Sequence, residues 1–420
     1  MSCRKKILWT KRYPILLNHR ANGPIILTLH RKMHIMSSDQ DREALELHQR
    51  LRGKLTISGK AKIKTLHDLA LLYTPGVAKP CREIAENKSL VYDLTMKGNT
   101  VAIVSDGSRV LGLGDIGPEA ALPVMEGKAL IMQQFAGIDA FPICLDTKDA
   151  EEIVRIVRAI APGFGAINLE DIETPKVFEI EKRLTDMLDI PVFHDDQHGT
   201  AMVTLAGLYN ALKVIGKNDT RSLESLRIGI VGAGSAGCAI AKLLNAAGFK
   251  NLVVFDSQGA ISQARSGMED YKLELASFNT SNFTGTIDKF FEADVIISAA
   301  RPGAIPIGTI KAMKKPNIVF ALANPIPEIS LEEANALGID IFGTGRSDYP
   351  NQINNSLCFP GFLRALLDLR VKKITVEMKI AAAKAIAESV KNPTKDKIVP
   401  DVFDKKVVKN IGKRVKEAIG

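Results

Sequence analysis

No run of about 18 apolar residues occurs anywhere in the 420-residue chain, which excludes an ordinary membrane-spanning helix. Nor is there a C-x-x-C pair. The five cysteines, Cys3, Cys81, Cys144, Cys238 and Cys358, are scattered and odd in number, so a disulfide frame or zinc site is not expected and reduced thiols in a cytoplasmic protein are. Glycine and proline, at 32 and 19, are too ordinary for a collagen-like or low-complexity chain, and no repeat of fixed period is present. Acidic residues are missing altogether before Asp39, where eight basic side chains stand alone; beyond that point 48 basic residues face 47 acidic ones. The overall charge of +9 therefore sits almost wholly in the arm, and a nearly neutral body argues against nucleic-acid binding. The arm, residues 1–36, reads either as an organelle-targeting presequence or as chain upstream of a start at Met33 or Met36. It is expected to be disordered and unconnected with the chemistry.

What is present is ordinary globular composition, 46% hydrophobic and 25% charged, long enough for two or three domains. From about residue 40 the pattern is helix, then strand and helix in alternation, which implies parallel sheets buried on both faces. Short apolar strands read at Thr100–Ser105, Asp139–Leu145, Gly165–Leu169 and Pro191–Phe193, with helices between them. After a helix at His198–Ile215 and a charged link at Gly216–Ser225, a second series runs from Arg227–Val231 to Ile339–Phe342. The fold class is α/β: an N-terminal α/β domain over 37–197, a Rossmann-like, doubly wound parallel sheet over 198–370, and C-terminal helices over 371–420 that return to the first domain.

Each apolar run of the first series ends in acid: Asp106, Asp146, Glu170–Asp171 and Asp195–Asp196. Ligands in open parallel sheets sit beyond the carboxyl ends of the strands, and ionised acids gathered there are costly unless a cation lies among them. Helix capping accounts for Asp146 but poorly for the two consecutive pairs, which are the metal candidates. An all-oxygen donor set suits Mg²⁺ or Mn²⁺. His194 and His198, at strand end and helix start, read as hydrogen-bonding structural residues.

In the second series, strand Arg227–Val231 runs straight into Gly232-Ala-Gly234-Ser235-Ala236-Gly237 and a helix, and the next strand ends in Asp256. A glycine fingerprint in that setting marks a dinucleotide site. Gly232 permits the turn, Gly234 admits the pyrophosphate, Gly237 lets helix and strand approach, and Ser235 and Ala236 open the helix whose N–H groups face the phosphates. Asp256 suits a ribose 2′-OH and so favours NAD, while Arg265 nearby leaves NADP open. A cation site beside a nicotinamide suggests oxidation of a metal-chelating hydroxy acid, which needs a base. Lys128, in an apolar helical stretch, could serve with its pKa lowered towards neutrality; alone, it would more commonly be a solvated lysine. Tyr73, before the Pro75–Gly76 turn, is a candidate proton donor, though a buried structural tyrosine would be commoner.

These residues belong to segments that together resemble malic enzyme in its compact, prokaryotic-type form. The segments are Leu72-Tyr-Thr-Pro-Gly-Val-Ala, Gly107-Ser-Arg-Val-Leu-Gly-Leu-Gly-Asp-Ile-Gly-Pro, Val124-Met-Glu-Gly-Lys, Leu169-Glu-Asp-Ile, Phe193-His-Asp-Asp-Gln-His-Gly-Thr-Ala and Asn324-Pro-Ile-Pro-Glu, in family order across roughly residues 40 to 400.

The resemblance implies oxidative decarboxylation of L-malate to pyruvate and CO₂ with NAD or NADP and Mg²⁺ or Mn²⁺, in a homodimer whose two domains close on the substrate. It implies Tyr73 as general acid, Lys128 as general base, Asp195 as the acid orienting that base, and Glu170, Asp171 and Asp196 as metal ligands. Asn324 and Asn355 would hold substrate near the nicotinamide, with Asn324 also touching cofactor, and Arg109 would bind a malate carboxylate. Arg109 and Asp115 depart from many compact forms, which have a small residue and Asn there. With no acyltransferase-like domain after residue 420, the fused long form is not expected. Two competing readings are a metal-independent amino-acid dehydrogenase, which the carboxylate pairs disfavour, and a non-catalytic dinucleotide sensor on the same fold.

Overall fold

The computed structural model describes residues 39–110 and 112–419. The basic arm read at 1–36 lies outside the described residues. Residues 39–54 form a compact unit of their own, a helix over 39–51 and its exit; everything from Leu55 onward forms the second unit.

Within that second unit, four wholly parallel strands make the first sheet: β1 (Thr100–Ser105), β2 (Asp139–Cys144), β3 (Ala166–Leu169) and β4 (Val192–His194), in the order β2-β1-β3-β4. β1 and β3 are buried at every position, as expected of strands covered by helices on both faces, and this is why they read as mainly apolar runs, Asn168 of β3 being the exception inside them. The helix Pro118–Ala136 joins β1 to β2. Pro118 opens it, where no N–H is needed, and Gly137 at φ +63° closes it in the left-handed conformation that side chains avoid. The chain leaves β1 towards β2 on one side and β3 on the other, so the crevice between β1 and β3 is a topological switch point.

The second sheet has six strands: β5 (Arg227–Val231), β6 (Asn251–Asp256), β7 (Gly259–Ala260), β8 (Val295–Ser298), β9 (Ile318–Ala321) and β10 (Ile341–Thr344), ordered β10-β9-β8-β5-β6-β7. All pair in parallel except the two-residue β7, which is antiparallel to β6. The switch point falls between β5 and β8, beside the glycine turn.

A 20-residue helix, Asp195–Val214, leaves β4 and packs against the helices Ser235–Ala246 and Val376–Glu388. The read boundary at 197/198 falls inside this helix. One apolar core continues from Val101 and Ile103 of β1 through Ile228 and Ile230 of β5 to Ile411 and Val415 of the last helix. The helix Phe359–Asp368, which the sequence reading placed in the second domain, packs on Pro118–Ala136 and on the last helix, Lys406–Ile419. Three local readings shift. The long helix starts at Asp195, not His198, because Asp195 and Asp196 occupy its first turn. The link after it holds a helix, Thr220–Ser225, capped by Asp219. Asp149, not Asp146, caps the helix Ala150–Ile160, accepting from the Glu152 N–H at 2.8 Å.

Candidate active site

The carboxyl ends of β3 and β4 bring Glu170, Asp171, Asp195 and Asp196 together, and the middle of Pro118–Ala136 lays Lys128 across them. Lys128 Nζ lies 2.5 Å from Glu170 Oε1 and 2.5 Å from Asp195 Oδ2, and 4.6 Å from the centre of the Phe359 ring. Both carboxylates are fixed from behind. Asn168 donates its amide to Glu170 Oε2 at 2.8 Å, and Asn355 donates to Asp195 Oδ2 at 2.6 Å. Asp195 is fully buried and its Oδ1 meets no described hydrogen-bond partner. A Cβ on Gly199 would stand 1.8 Å from that oxygen, so only glycine one helical turn on leaves the carboxylate room.

Electrostatics here corrects one expectation. Burial alone would lower the pKa of Lys128, but Asp195, Glu170 and Asp196 together outweigh it and push the lysine upward. Burial and three neighbouring carboxylates raise Glu170 well above the ordinary range even with Lys128 opposing. Burial also works against Asp196, yet the His194 contact at 3.3 Å and the Asp171 N–H at 3.1 Å hold its carboxyl low.

Glu170, Asp171 and Asp196 offer carboxylate oxygens that all lie within 4.8 Å of one another. Asp171 takes φ +52°, a left-handed conformation that aspartate tolerates better than most residues. Acid-only donors, two of them buried, fit a hard divalent cation. Asp106 is not part of the group. It accepts from the Ser108 N–H and hydroxyl and pairs with Lys176 at 2.6 Å. The histidines belong to a buried hydrogen-bonded chain: Lys379 Nζ to His198 Nδ1 at 3.0 Å, His198 Nε2 to Glu181 at 2.7 Å, and Gln197 between Glu181 and His194; His194 Nε2 then stands 3.3 Å from Asp196 Oδ2.

A cavity of about 550 Å³ opens between the two sheets' carboxyl edges, with Asp171 and Asp196 on one side and Gly234, Ser235 and Ala236 on the other. Arg109 lines it; a Cβ on Gly234 would stand 3.4 Å from its Nη1. Asn324 also lines it, as does Arg301, which the sequence reading passed over because no motif contains it. Gly232, at φ +105°, runs so close to the Ala299 carbonyl that a Cβ would lie 2.7 Å from that oxygen, and a Cβ on Gly237 would lie 1.8 Å from the Gly232 carbonyl. The Ser235 hydroxyl meets that of Thr174 at 2.6 Å, tying the phosphate turn to the first sheet's loops.

Asp256 ends β6 as read, but both its oxygens are taken by the Arg265 guanidinium at 2.8 Å, with Lys272 at 3.3 Å. Asp115 forms an exposed pair with Lys148. Asn355 is committed to Asp195, and Tyr73 stands apart. Tyr73 ends the helix Leu66–Leu72, is 66% exposed, and is absent from the cavity lining.

A Rossmann sheet with a carboxylate cation site and a buried lysine at its cleft is the framework of a metal-dependent, nicotinamide-linked dehydrogenase. Family models narrow the class: the malic enzyme N-terminal domain matches residues 52–185 and the malic enzyme NAD-binding domain residues 197–419. The chain is 54% identical over 370 residues to an NAD-dependent malic enzyme of Geobacillus stearothermophilus, covering 87% of this chain and 76% of the relative. It is 43% identical to an NADP-dependent malic enzyme of Halomonas elongata, covering 88% and 87%. It is also similar to the crystal structure of an NAD-dependent malic enzyme from Thermotoga maritima, at TM-score 0.85 and 45% identity over 89% of this chain and 98% of that one. The chain belongs to the malic enzyme family, whose reaction is the metal-dependent oxidative decarboxylation of malate with reduction of NAD(P).

Proposed function

We propose that this chain oxidises L-malate to pyruvate and CO₂ with NAD preferred over NADP, using Lys128 as base and Tyr73 as acid. The observation that carries the reading is the buried Lys128 held at 2.5 Å from both a ligand carboxylate and Asp195. Glu170, Asp171 and Asp196 would hold a divalent cation, which would supply Lewis-acid charge there and offset the negative charge beside Lys128, favouring its neutral amine. Lys128 then takes the C2 hydroxyl proton as hydride leaves C2 for the nicotinamide. Asp195, steadied by Asn355, keeps the amine aimed. Arg109 receives a substrate carboxylate at the cavity wall, and Gly232, Gly234 and Gly237 seat the pyrophosphate. Loss of CO₂ from the β-keto acid leaves an enolate that Tyr73 protonates at C3.

Cofactor choice follows from Asp256. Its carboxylate favours a 2′-OH, but Arg265 and Lys272 have already neutralised it, so a 2′-phosphate meets cations as well as an acid. NADP is accordingly a weaker, usable cofactor. Nicotinamide reduction with L-malate and Mn²⁺ checks both points: pyruvate formation, with kcat/KM for NAD at least tenfold that for NADP, is expected. A folded protein that binds NAD yet yields no pyruvate would favour the sensor instead.

The proposal includes a homodimer. Neither the helix Leu66–Leu72 nor Ala78–Glu86 buries a residue, and Ile57, Ile63, Leu66, Leu71, Leu72 and Tyr73 are all exposed. Such a contiguous apolar stretch is unusual on a free surface, and a second copy is the occupant that also orders the segment carrying Tyr73. Leu71→Asp is expected to halve the mass measured by light scattering; an unchanged mass for that variant, or a monomeric wild type, would defeat the assignment. A cytoplasmic setting is supported by the free state of all four described cysteines, and no described helix is long and apolar enough to cross a membrane.

A further inference from the structure

The Asn324-Pro-Ile-Pro-Glu motif ends in a residue to which no role has been given. Glu328 is 4% exposed, next in sequence to Ile329 of the apolar core under the second sheet. Its two oxygens are divided between two loops. Oε1 accepts the Ala300 N–H at 2.8 Å, in the loop after β8, and Oε2 accepts the Ala323 N–H at 3.1 Å, in the loop after β9. The Glu328 carbonyl also accepts from Gly303 N–H at 3.2 Å. β8 and β9 are parallel neighbours whose last residues, Ser298 and Ala321, stand in register, so their loops leave the sheet side by side. Both loops line the 550 Å³ cavity, through Ala299–Pro302 and Leu322–Ile326. They lie across the switch point from the β5–β6 half that carries the glycine turn and Asp256, hence on the side where a doubly wound sheet receives the second nucleotide.

A buried carboxylate outside the acid cluster is expensive to retain unless its hydrogen bonds are needed. We propose that Glu328 is a positioning residue for the nicotinamide half of the cofactor: one carboxylate sets the backbones of the two loops between which that half lies. The inference rests on the dinucleotide reading of the cavity, and it separates the cofactor's halves, since the adenosine half is seated by β5 and β6 and meets the loop after β8 only where Ala299 backs Gly232.

Glu328→Gln tests it, because the amide oxygen keeps one N–H bond while the amide NH₂ confronts the other N–H. In the variant, the Kd for NAD measured by calorimetry should rise at least tenfold while that for ADP, which has only the adenosine half, changes less than twofold. The kcat for malate oxidation should fall while metal-dependent decarboxylation of added oxaloacetate, which needs no hydride acceptor, persists. Glu328→Asp, which keeps the charge but is shorter, should recover part of the NAD affinity. An unchanged NAD Kd would overturn the proposal, and so would a parallel loss of ADP and NAD binding, which signifies general loosening. A wild type that binds NAD but fails to oxidise malate would refute the enzymatic reading, yet the NAD-against-ADP comparison would still decide the role of Glu328.

Discussion

Lys128→Ala is expected to lower kcat for malate oxidation by about 10³-fold, the middle of the range for a positioned general base. Decarboxylation of oxaloacetate, which involves no hydroxyl proton, should fall far less. Stability gives a second, independent reading. Lys128 is the cation between Glu170 and Asp195, both almost fully buried. Removing one partner of a buried ion pair leaves the other uncompensated, at a cost of about 3–5 kcal/mol. The metal-free variant should therefore melt well below the wild type, and Mn²⁺ should raise the variant's Tm more than the wild type's because it returns positive charge to Glu170, the acid the two sites share. Equal losses in the two reactions, with no change in melting, would remove Lys128 from the role of base.

Every strand except the two-residue β7, which was not read, stands within a few residues of its sequence position for a physical reason. A strand buried on both faces is mainly apolar, so β1, β3, β5 and β8 announce themselves without alternation. The glycine turn is equally readable, since Gly232 and Gly237 occupy positions where a Cβ would strike a carbonyl. The acid pairs following β3 and β4 were visible because strand ends are where a parallel sheet places its ligands. What sequence could not disclose is partnership across long separations. Asn355 and Asp195 are 160 residues apart, and nothing local says that the asparagine's amide is spent on that acid. The charge state of Lys128 depends on acids 42 and 67 positions away, so its apolar helical surroundings pointed to the wrong direction of shift. Asp256 read as a free ribose acceptor until Arg265 and Lys272 folded onto it. Glu328 was in view as the last letter of a motif, but its two N–H donors come from different strands' loops. The Leu66–Leu72 and Ala78–Glu86 helices were missed because they bury nothing, leaving no apolar face turned towards this chain's own core.

The acid cluster proposed to hold the cation yields the other large effect. Asp171→Asn should be tolerated by the backbone, since asparagine shares aspartate's ease at φ +52°, and it removes one negative charge from three carboxylates lying within 4.8 Å. Loss of even a supporting contact at a metal site typically costs about 10–100-fold in affinity, so deleting a ligand charge should weaken Mn²⁺ at least about 100-fold. Malate oxidation at a fixed, limiting Mn²⁺ concentration should fall by a similar factor and recover only partly at high metal. Because a ligand stabilises the fold in proportion to the logarithm of its occupancy, the Tm gain on adding Mn²⁺ should shrink along with the affinity. Asp146→Asn provides the comparison: that acid also ends a strand, but it is exposed and outside the cluster, and its removal should leave Mn²⁺ affinity and rate unchanged. If Asp171→Asn bound Mn²⁺ as tightly as the wild type in an electron paramagnetic resonance titration, the cation would have to be held elsewhere. The convergence of β3 and β4 on one cluster of acids would then be architecture without a metal.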